Sequence, residues 1–403
     1  MAEGPSCWGS SMPGPTTYDV IIAGAGPAGS TAGYLLSKAG LRVLLIDKST
    51  FPRKKLCAGL ITYKTVRLLE RVFGETIDSL KEQDIINYES CHYEVYCKDT
   101  LITQRDIPVP FRFTDRDTYD YFLLGKARQA GAAFLEGDGI GLRSLDILKS
   151  SVTTLSGKTY SAGIIIGADG VNSRVRRSFL VDLFGRDDWS GNLAAAHEIF
   201  LERRGAKKQI WHPALYFDYI DDGYAWIFPN RDRLKIGICA LNNKNRKDLL
   251  TAFRHFLADM DMAEPQEGKI FSYVVPYGSF LPNPVFRNVM LVGDAAGFAD
   301  PLLGEGIFYA QRSAELASQA ILEVIKGGSG LLTSREALAD AYIKLLRLHI
   351  FTEFEYAGRI RDAIFTSLRR FRYLPLKIIL GLLGDKPAET VHGIRSYKWM
   401  RKL

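Results

Sequence analysis

Gly24, Gly26 and Gly29 stand in G-x-G-x-x-G spacing within "GAGPAG", and Asp47 follows eighteen residues after the last of them. Such glycines permit a tight turn, close backbone approach to a pyrophosphate, and tight helix–strand packing. A helix N-terminus then attracts the phosphate charge, and an acid at Asp47 can accept hydrogen bonds from ribose hydroxyls. A second chemical group is "KKLCAG", which puts Cys57 ten residues beyond Asp47. A third is "YAWIFP", where Tyr224, Trp226 and Phe228 occupy every second position before Pro229. On a strand these three aromatics share one face, with Ala225 and Ile227 on the other. Alone, that pattern reads as core packing; together with a dinucleotide site it offers a wall for an apolar substrate.

The elements that must position these groups are legible around them. "YDVIIAGAGPAGSTAGYLLSKAGLRVLLIDK" runs apolar strand, glycine turn, helix, apolar strand, a βαβ unit of about thirty residues. A helical stretch is expected from Thr62 to Leu80, and one helix from "DRDTYDYFLLGKARQAGA", capped by Asp115 or Asp117 and ending at Gly131. Alternating runs such as "CHYEVYC", "LITQRDIPV", "ALYFDYI" and "LKIGICAL" predict an antiparallel sheet. Cys91 and Cys97, six apart on one strand, are expected to share a face in the core. An amphipathic helix is expected near Arg246 to Met262, and a long helix after "NVMLVGDAAG". The fold class is α/β (α+β): a Rossmann-type FAD-binding domain with an inserted antiparallel-sheet domain and a helical C-terminus. The expected boundaries are a leader at 1–16, FAD-binding segments at 17–85, 111–190 and 283–335, substrate-domain segments at 86–110 and 191–282, and a basic helical region at 336–403.

Bulk properties narrow the setting. The chain has 403 residues and a net charge of +7, enough length for more than one core. No apolar run reaches the roughly 18 residues that a membrane-crossing helix needs. Five cysteines form no C-x-x-C pair, so neither a disulfide framework nor a zinc or iron–sulfur centre is indicated, and a reducing cytoplasmic setting fits. From Asp340 onward thirteen Lys or Arg stand against six Asp or Glu, so this segment carries the whole net charge. No nucleic-acid motif accompanies it. In "FTSLRRFRYLPLKIILGLLG", Arg369, Arg370, Arg372 and Lys377 alternate with apolar residues, as in a segment held at an anionic membrane surface or a helix covering the core with its basic side chains extended.

Two later motifs decide which dinucleotide is expected. "GADGVNSRVR" resembles the Asp-Gly motif of flavoproteins with the para-hydroxybenzoate hydroxylase fold, and "VGDAAGFADPLLGEGIFYA" resembles their Gly-Asp motif. All three motifs come in family order over Tyr18 to Leu316. The resemblance implies FAD, with Ala28, Arg116, Ile140, Asp169, Gly170 and Ile307 at the cofactor and Asp294 on its ribityl chain. Gly304 and Gly306 would let a flat ring approach backbone, and the helix beginning there would point its positive end at that ring. "KKLCAG", "YAWIFPNRDRLKIG" and "ADPLLGEGI" further resemble the geranylgeranyl reductase family, whose members use reduced FAD to saturate isolated double bonds of polyprenyl chains. That resemblance puts Cys57, Ala58 and Gly59 beside the flavin. It puts Tyr224, Trp226, Phe228, Pro229 and Gly237 along a lipid tunnel.

An isolated trisubstituted alkene has no carbonyl to polarise it. Its reduction therefore calls for a proton together with a hydride, in a dry channel. Cys57 and Tyr224 are the candidate catalytic residues for the proton, with reduced flavin itself as the alternative donor. Only one glycine fingerprint is present, so reducing equivalents are expected from an external donor: ferredoxin, another flavoprotein or NAD(P)H. Two oxidative rivals share the FAD motifs, a flavin monooxygenase and a flavin-dependent halogenase. The halogenase reading is weakened by "KKLCAGL" where halogenases carry Gly-Glu-Ser. A further rival is a carrier that binds FAD and a quinone tail without saturating it.

Overall fold

The structure, a computed structural model, describes residues 16–178, 189, 193–205, 209–241, 248–262, 270–278, 280–327 and 335–402. The expected leader up to residue 15, with Cys7, lies outside the described residues, whereas Thr16 already belongs to the first strand.

The chain opens with β1 (Thr16–Ala23), α1 (Pro27–Lys38) and β2 (Val43–Asp47). It continues through β3 (Leu60–Ile61), α2 (Tyr63–Phe73), α3 (Ile77–Glu82), β4 (Tyr88–Cys97), β5 (Thr100–Phe113) and α4 (Arg116–Gln129). Next come β6 (Ala133–Glu136), β7 (Ile140–Asp146), β8 (Ser151–Thr154) and β9 (Thr159–Gly167). Then follow β10 (Ala194–Glu202), β11 (Ala214–Phe217), β12 (Gly223–Pro229), β13 (Arg233–Leu241), α5 (Leu249–Asp259) and β14 (Phe271–Val275). The last part holds β15 (Val285–Phe286), β16 (Val289–Leu291), α6 (Ile307–Lys326), α7 (Arg335–Leu346), α8 (Thr352–Phe371), α9 (Leu374–Leu383) and α10 (Lys386–Val391).

One sheet has the order β15-β16-β9-β1-β2-β6, with β7 and β8 at its side. Its central pairs, β1 with β2 and with β9, and β9 with β16, are parallel. Parallel strands covered on both faces need continuous apolar runs. Val20, Ile21 and Ile22, and Ile164 to Ile166, supply them with no exposed surface. α1 packs against α6 over this sheet.

The second sheet has the order β14-β10-β13-β12-β11-β4-β5-β3. Its two faces separate by residue parity. Ala225, Ile227, Ile236 and Ile238 join Phe253 and Phe256 of α5 in a closed core. The opposite face gathers Ala194, Ala196, Tyr224, Trp226 and Cys239 with Tyr277 and with Phe365 of α8. Residues 111–113, placed by sequence with the FAD-binding segments, are the end of β5 and belong to this second sheet.

Three local expectations are corrected. The helix expected from Thr62 to Leu80 is two helices, because Gly74 takes φ +74° and Thr76 caps the next one through the Ser79 N–H. A residue in that left-handed region cannot continue a helix. Asp115 sits at the N-terminal cap position of α4 without capping it; its carboxylate instead accepts from the Asn87 and Asn230 side-chain amides at 3.0 Å each. Finally, Cys97 is buried but Cys91 is exposed. The β4–β5 register shifts between Ser90 and His92 and again between Val95 and Tyr96. Cys91 sits inside the first irregularity, between Ser90 and His92, so the regular alternation that the six-residue spacing assumed does not carry Cys97's face back to it.

Candidate active site

The nucleotide end of the site is built at the β1–α1 turn. Gly24 takes φ +97°, and a Cβ there would lie 2.4 Å from the Ala168 carbonyl oxygen. At Gly29 a Cβ would lie 1.8 Å from the Gly24 carbonyl oxygen. Both glycines are thus demanded by the protein's own backbone. Gly26 is different: its Cβ would meet only the Arg53 Nη2 tip, at 3.3 Å. A flexible side-chain end moves cheaply, so the open space at Gly26 serves a ligand approaching the start of α1 and not internal packing. Asp47 lines the same space with its carboxylate oxygens accepting from the Ala25 and Ser49 N–H groups at 2.8 Å each. A carboxylate has about four acceptor positions, so two remain for hydroxyls.

Arg116 projects from the first turn of α4 and is fixed by Asp120 through Nε at 2.8 Å and Nη2 at 2.9 Å. Arg53 shares the same carboxylate at 3.1 Å. Cys57 lies in electrostatic contact with the Arg116 guanidinium, and its sulfur accepts from the Gly59 N–H at 3.3 Å. Lys55 approaches Asp294 at 3.9 Å. Asp294 in turn stands beside the start of α6, 3.3 Å from where a Gly306 Cβ would be.

The loop from Asp300 to Gly306 is tied from every side. Asp300 Oδ1 accepts from the Leu302 and Leu303 N–H groups at 2.8 and 2.9 Å, and Tyr397 donates to its Oδ2 at 2.9 Å. Glu305 accepts from Lys64 and Thr62 of the opposite wall, each at 2.6 Å. Tyr224 donates to the Leu303 carbonyl at 2.6 Å, and Tyr277 donates to the Leu302 carbonyl at 2.7 Å. The second sheet, through Tyr224, and Tyr277 just past β14 therefore hold the backbone of this loop. Burial drives the Tyr224 phenol well above its ordinary range, so it stays protonated.

One cavity of about 1140 Å³ joins these parts. Gly24, Gly26, Ala28, Asp47, Ile140, Asp169 and Gly170 line it at one end; Cys57, Ala58, Gly59, Arg116, Asp294, Gly304, Gly306 and Ile307 line its middle. Tyr224, Trp226 and Phe228 form a wall, and Leu376, Ile379 and Leu380 of α9 line the far end. Single-ligand sites run to roughly 1,000 Å³, and this cavity is larger than that. Gly29, Pro229 and Gly237 do not line the cavity. Gly237 instead supports it from below: a Cβ there would lie 2.2 Å from Trp226 Cζ2.

Glu198 is the buried acid that sequence reasoning missed. It faces Gly237 across β10–β13, and Gly237 faces Trp226 across β13–β12. That row places Glu198 under the cavity wall, fully buried, in range of the Trp226 indole N–H and the Cys57 backbone N–H. Neither of its oxygens completes a well-formed hydrogen bond. Burial pushes its carboxyl up to about 8, with Lys235 opposing the rise. In "AAAHEIFL" a lone Glu in an alternating run reads as a solvent-facing residue; only the sheet register shows otherwise.

The space at Gly26, the free acceptor positions of Asp47 and Asp294 at the head of α6 fit FAD. Gly26→Ala is expected to fold normally and to purify with at least about tenfold weaker flavin binding, a loss of roughly 1.4 kcal/mol. The check is 450 nm absorbance during flavin titration beside an unchanged circular dichroism spectrum.

Comparison with known proteins agrees with the geometry. Residues 17–197 match the FAD binding domain family. A Methanosarcina barkeri protein, itself uncharacterized, is 32% identical over 93% of each chain. Geranylgeranyl diphosphate reductase of Rhodobacter capsulatus is 29% identical, covering 77% of this chain and 76% of its own. In fold, a geranylgeranyl bacteriochlorophyll reductase-like protein from Thermoplasma acidophilum superposes with a TM-score of 0.72 at 22% identity, over 87% of this chain and 88% of that one. With its three motifs gathered on one cavity, this chain belongs to the geranylgeranyl reductase-like family of FAD-dependent oxidoreductases.

Proposed function

We propose that this protein saturates isolated C=C bonds of a geranylgeranyl or longer polyprenyl lipid. One observation carries the reading: the aromatic face of β12 lines the same cavity as the FAD site, and that cavity runs on, apolar, to α9. FAD, bound in its reduced form, supplies the hydride. Everything else falls to the chain. Trp226 and Phe228 exclude water and hold the alkene, and their π faces tolerate positive charge developing on carbon. Tyr224 has its proton engaged by the Leu303 carbonyl, so in this reading it fixes the loop beside the flavin ring and the proton is held at Cys57 Sγ, on the cavity wall. The external electron donor proposed from the single glycine fingerprint is ferredoxin, another flavoprotein or NAD(P)H.

Anaerobic incubation of the dithionite-reduced protein with geranylgeranyl lipids, followed by mass spectrometry, tests the reading. The expected product gains two hydrogens per reduced bond. Substrate that gains oxygen or halogen when air is admitted would replace it with a monooxygenase or halogenase. Quinone reduction with an unchanged tail would replace it with a redox carrier. Within the reductase reading, Cys57→Ala is expected to keep its flavin and lose about 100-fold or more in alkene reduction. Full activity in that variant would remove the thiol from the mechanism.

A further inference from the structure

α9 is a helix with two jobs. Leu376, Ile379, Leu380 and Leu383 line the far end of the cavity. Its other side is apolar as well, and it faces outward: Leu374 is 58% exposed, Ile378 53% and Leu382 80%, with Phe371 just before the helix at 64%. Leu374, Ile378 and Leu382 lie four residues apart on α9, so they form a single stripe, and Phe371 ends the preceding helix. A contiguous stripe of large aliphatic side chains on a surface marks a site that something covers. Arg370, Arg372 and Lys377 are exposed on the same stretch.

The backbone around α9 is also unusual. Arg372 takes φ +55°, ψ −145° immediately before its first turns, and Gly384 takes φ +60°, ψ −130° directly after it. The first is a conformation that non-glycine residues adopt only when the surroundings hold them there. α9 is thus set off from α8 and α10 by a sharp bend at each end. Its contact with the substrate sheet includes Arg105, which donates to the Leu380 and Gly381 carbonyls at 3.3 Å.

We propose that α9 lies in the surface of an anionic lipid bilayer and forms the entrance through which a membrane-resident chain reaches the cavity. Ten residues of helix span about 15 Å, half of the roughly 30 Å hydrocarbon core, so α9 lies along the interface and does not cross it. The three exposed basic residues match an anionic leaflet. Continuity with the cavity explains why the covering partner is a membrane: between Ile379 and Leu383 and the aromatic face of β12 the lining includes Leu376, Ile364, Phe217 and Phe365, an apolar lead for a chain leaving the bilayer. This inference rests on the polyprenyl reading for what enters, but not for what α9 binds.

The test uses the full FAD-loaded chain and vesicles free of isoprenoid, so its outcome does not depend on the reaction. Wild-type protein is expected to sediment with phosphatidylcholine–phosphatidylglycerol vesicles at low salt, and less so as salt screens the charges. Ile378→Glu/Leu382→Glu changes only outward-facing residues and is expected to weaken that binding roughly 100-fold. The same variant should reduce detergent-dispersed substrate at the wild-type rate. Wild-type protein that stays in the supernatant overturns the proposal, as does a double variant that sediments equally well. A double variant that instead changes oligomeric state on gel filtration assigns the stripe to a second copy of the chain, which overturns it too. If vesicle binding holds but no alkene is reduced, the reading of function fails and the membrane seat stands.

Discussion

Gly237→Val is expected to retain FAD and to lose about 100-fold in reduction of long prenyl chains, because a shift of about 1 Å in a positioning group costs that much. The physical basis is one contact. The Trp226 ring lies on Gly237 so closely that a Cβ would fall 2.2 Å from Cζ2 and 2.6 Å from Cε2. Real carbon contacts do not occur at that distance, so the indole must leave its seat. Behind it the strand is closed by Ala225 and Ile227, fully buried in the opposite core. The open direction is into the cavity that Trp226 lines. The substitution therefore narrows the channel where an alkene would lie, and it adds overpacking strain of about 1–3 kcal/mol. No flavin-facing residue changes. Trp226→Ala in the same background should restore room and recover part of the rate on bulky substrates. The measurements are flavin content, thermal midpoint, and rates on prenyl lipids of increasing length. Unchanged rates in Gly237→Val would show that the aromatic face does not hold substrate.

The nucleotide half of the molecule was legible in the sequence because each local cue has a single structural solution. A glycine turn between two apolar runs must fold as β1–α1–β2, and Asp47 must then stand at the turn. The aromatic alternation in β12 was equally readable: a period of two fixes which residues share a face. What lay beyond reach depends on register between distant strands. Glu198 and Gly237 are 39 positions apart, and nothing local links the acid to Trp226. Cys91 departs from its expected face because the break in β4–β5 pairing around it is invisible to a parity count. The setting of the Tyr224 hydroxyl likewise depends on a distant loop: it donates to the Leu303 carbonyl at 2.6 Å, 79 positions away.

Glu198→Gln is expected to flatten the pH dependence of stability between about pH 4.5 and about pH 8. Burial under Trp226 raises the carboxyl from an ordinary 4.5 to about 8 in the folded chain. Lys235 opposes the rise, but its ammonium is committed to Asp115 at 3.0 Å and to the Thr114 carbonyl at 2.6 Å. Tyr273 is also coupled to it, and the Cys57 backbone N–H lies in range. Below pH 4.5 both folded and unfolded chains carry the proton, so the group contributes no slope. Between about 4.5 and about 8 the folded chain keeps a proton that the unfolded chain has released. Stability must therefore fall as pH rises through that window, by on the order of a few kcal/mol in total. Glutamine keeps the shape and does not titrate, so the variant should gain on the wild type steadily from pH 5.5 to pH 8.5. Denaturant unfolding of both proteins at three pH values measures this difference directly. Activity should follow the same logic. A neutral acid leaves the floor beneath Trp226 uncharged, whereas its ionised form puts a carboxylate behind a wall that must stay dry. Wild-type alkene reduction is thus expected to decline above pH 8, and Glu198→Gln to hold its rate there. A stability difference that does not vary with pH would show that Glu198 ionises normally and has no such role.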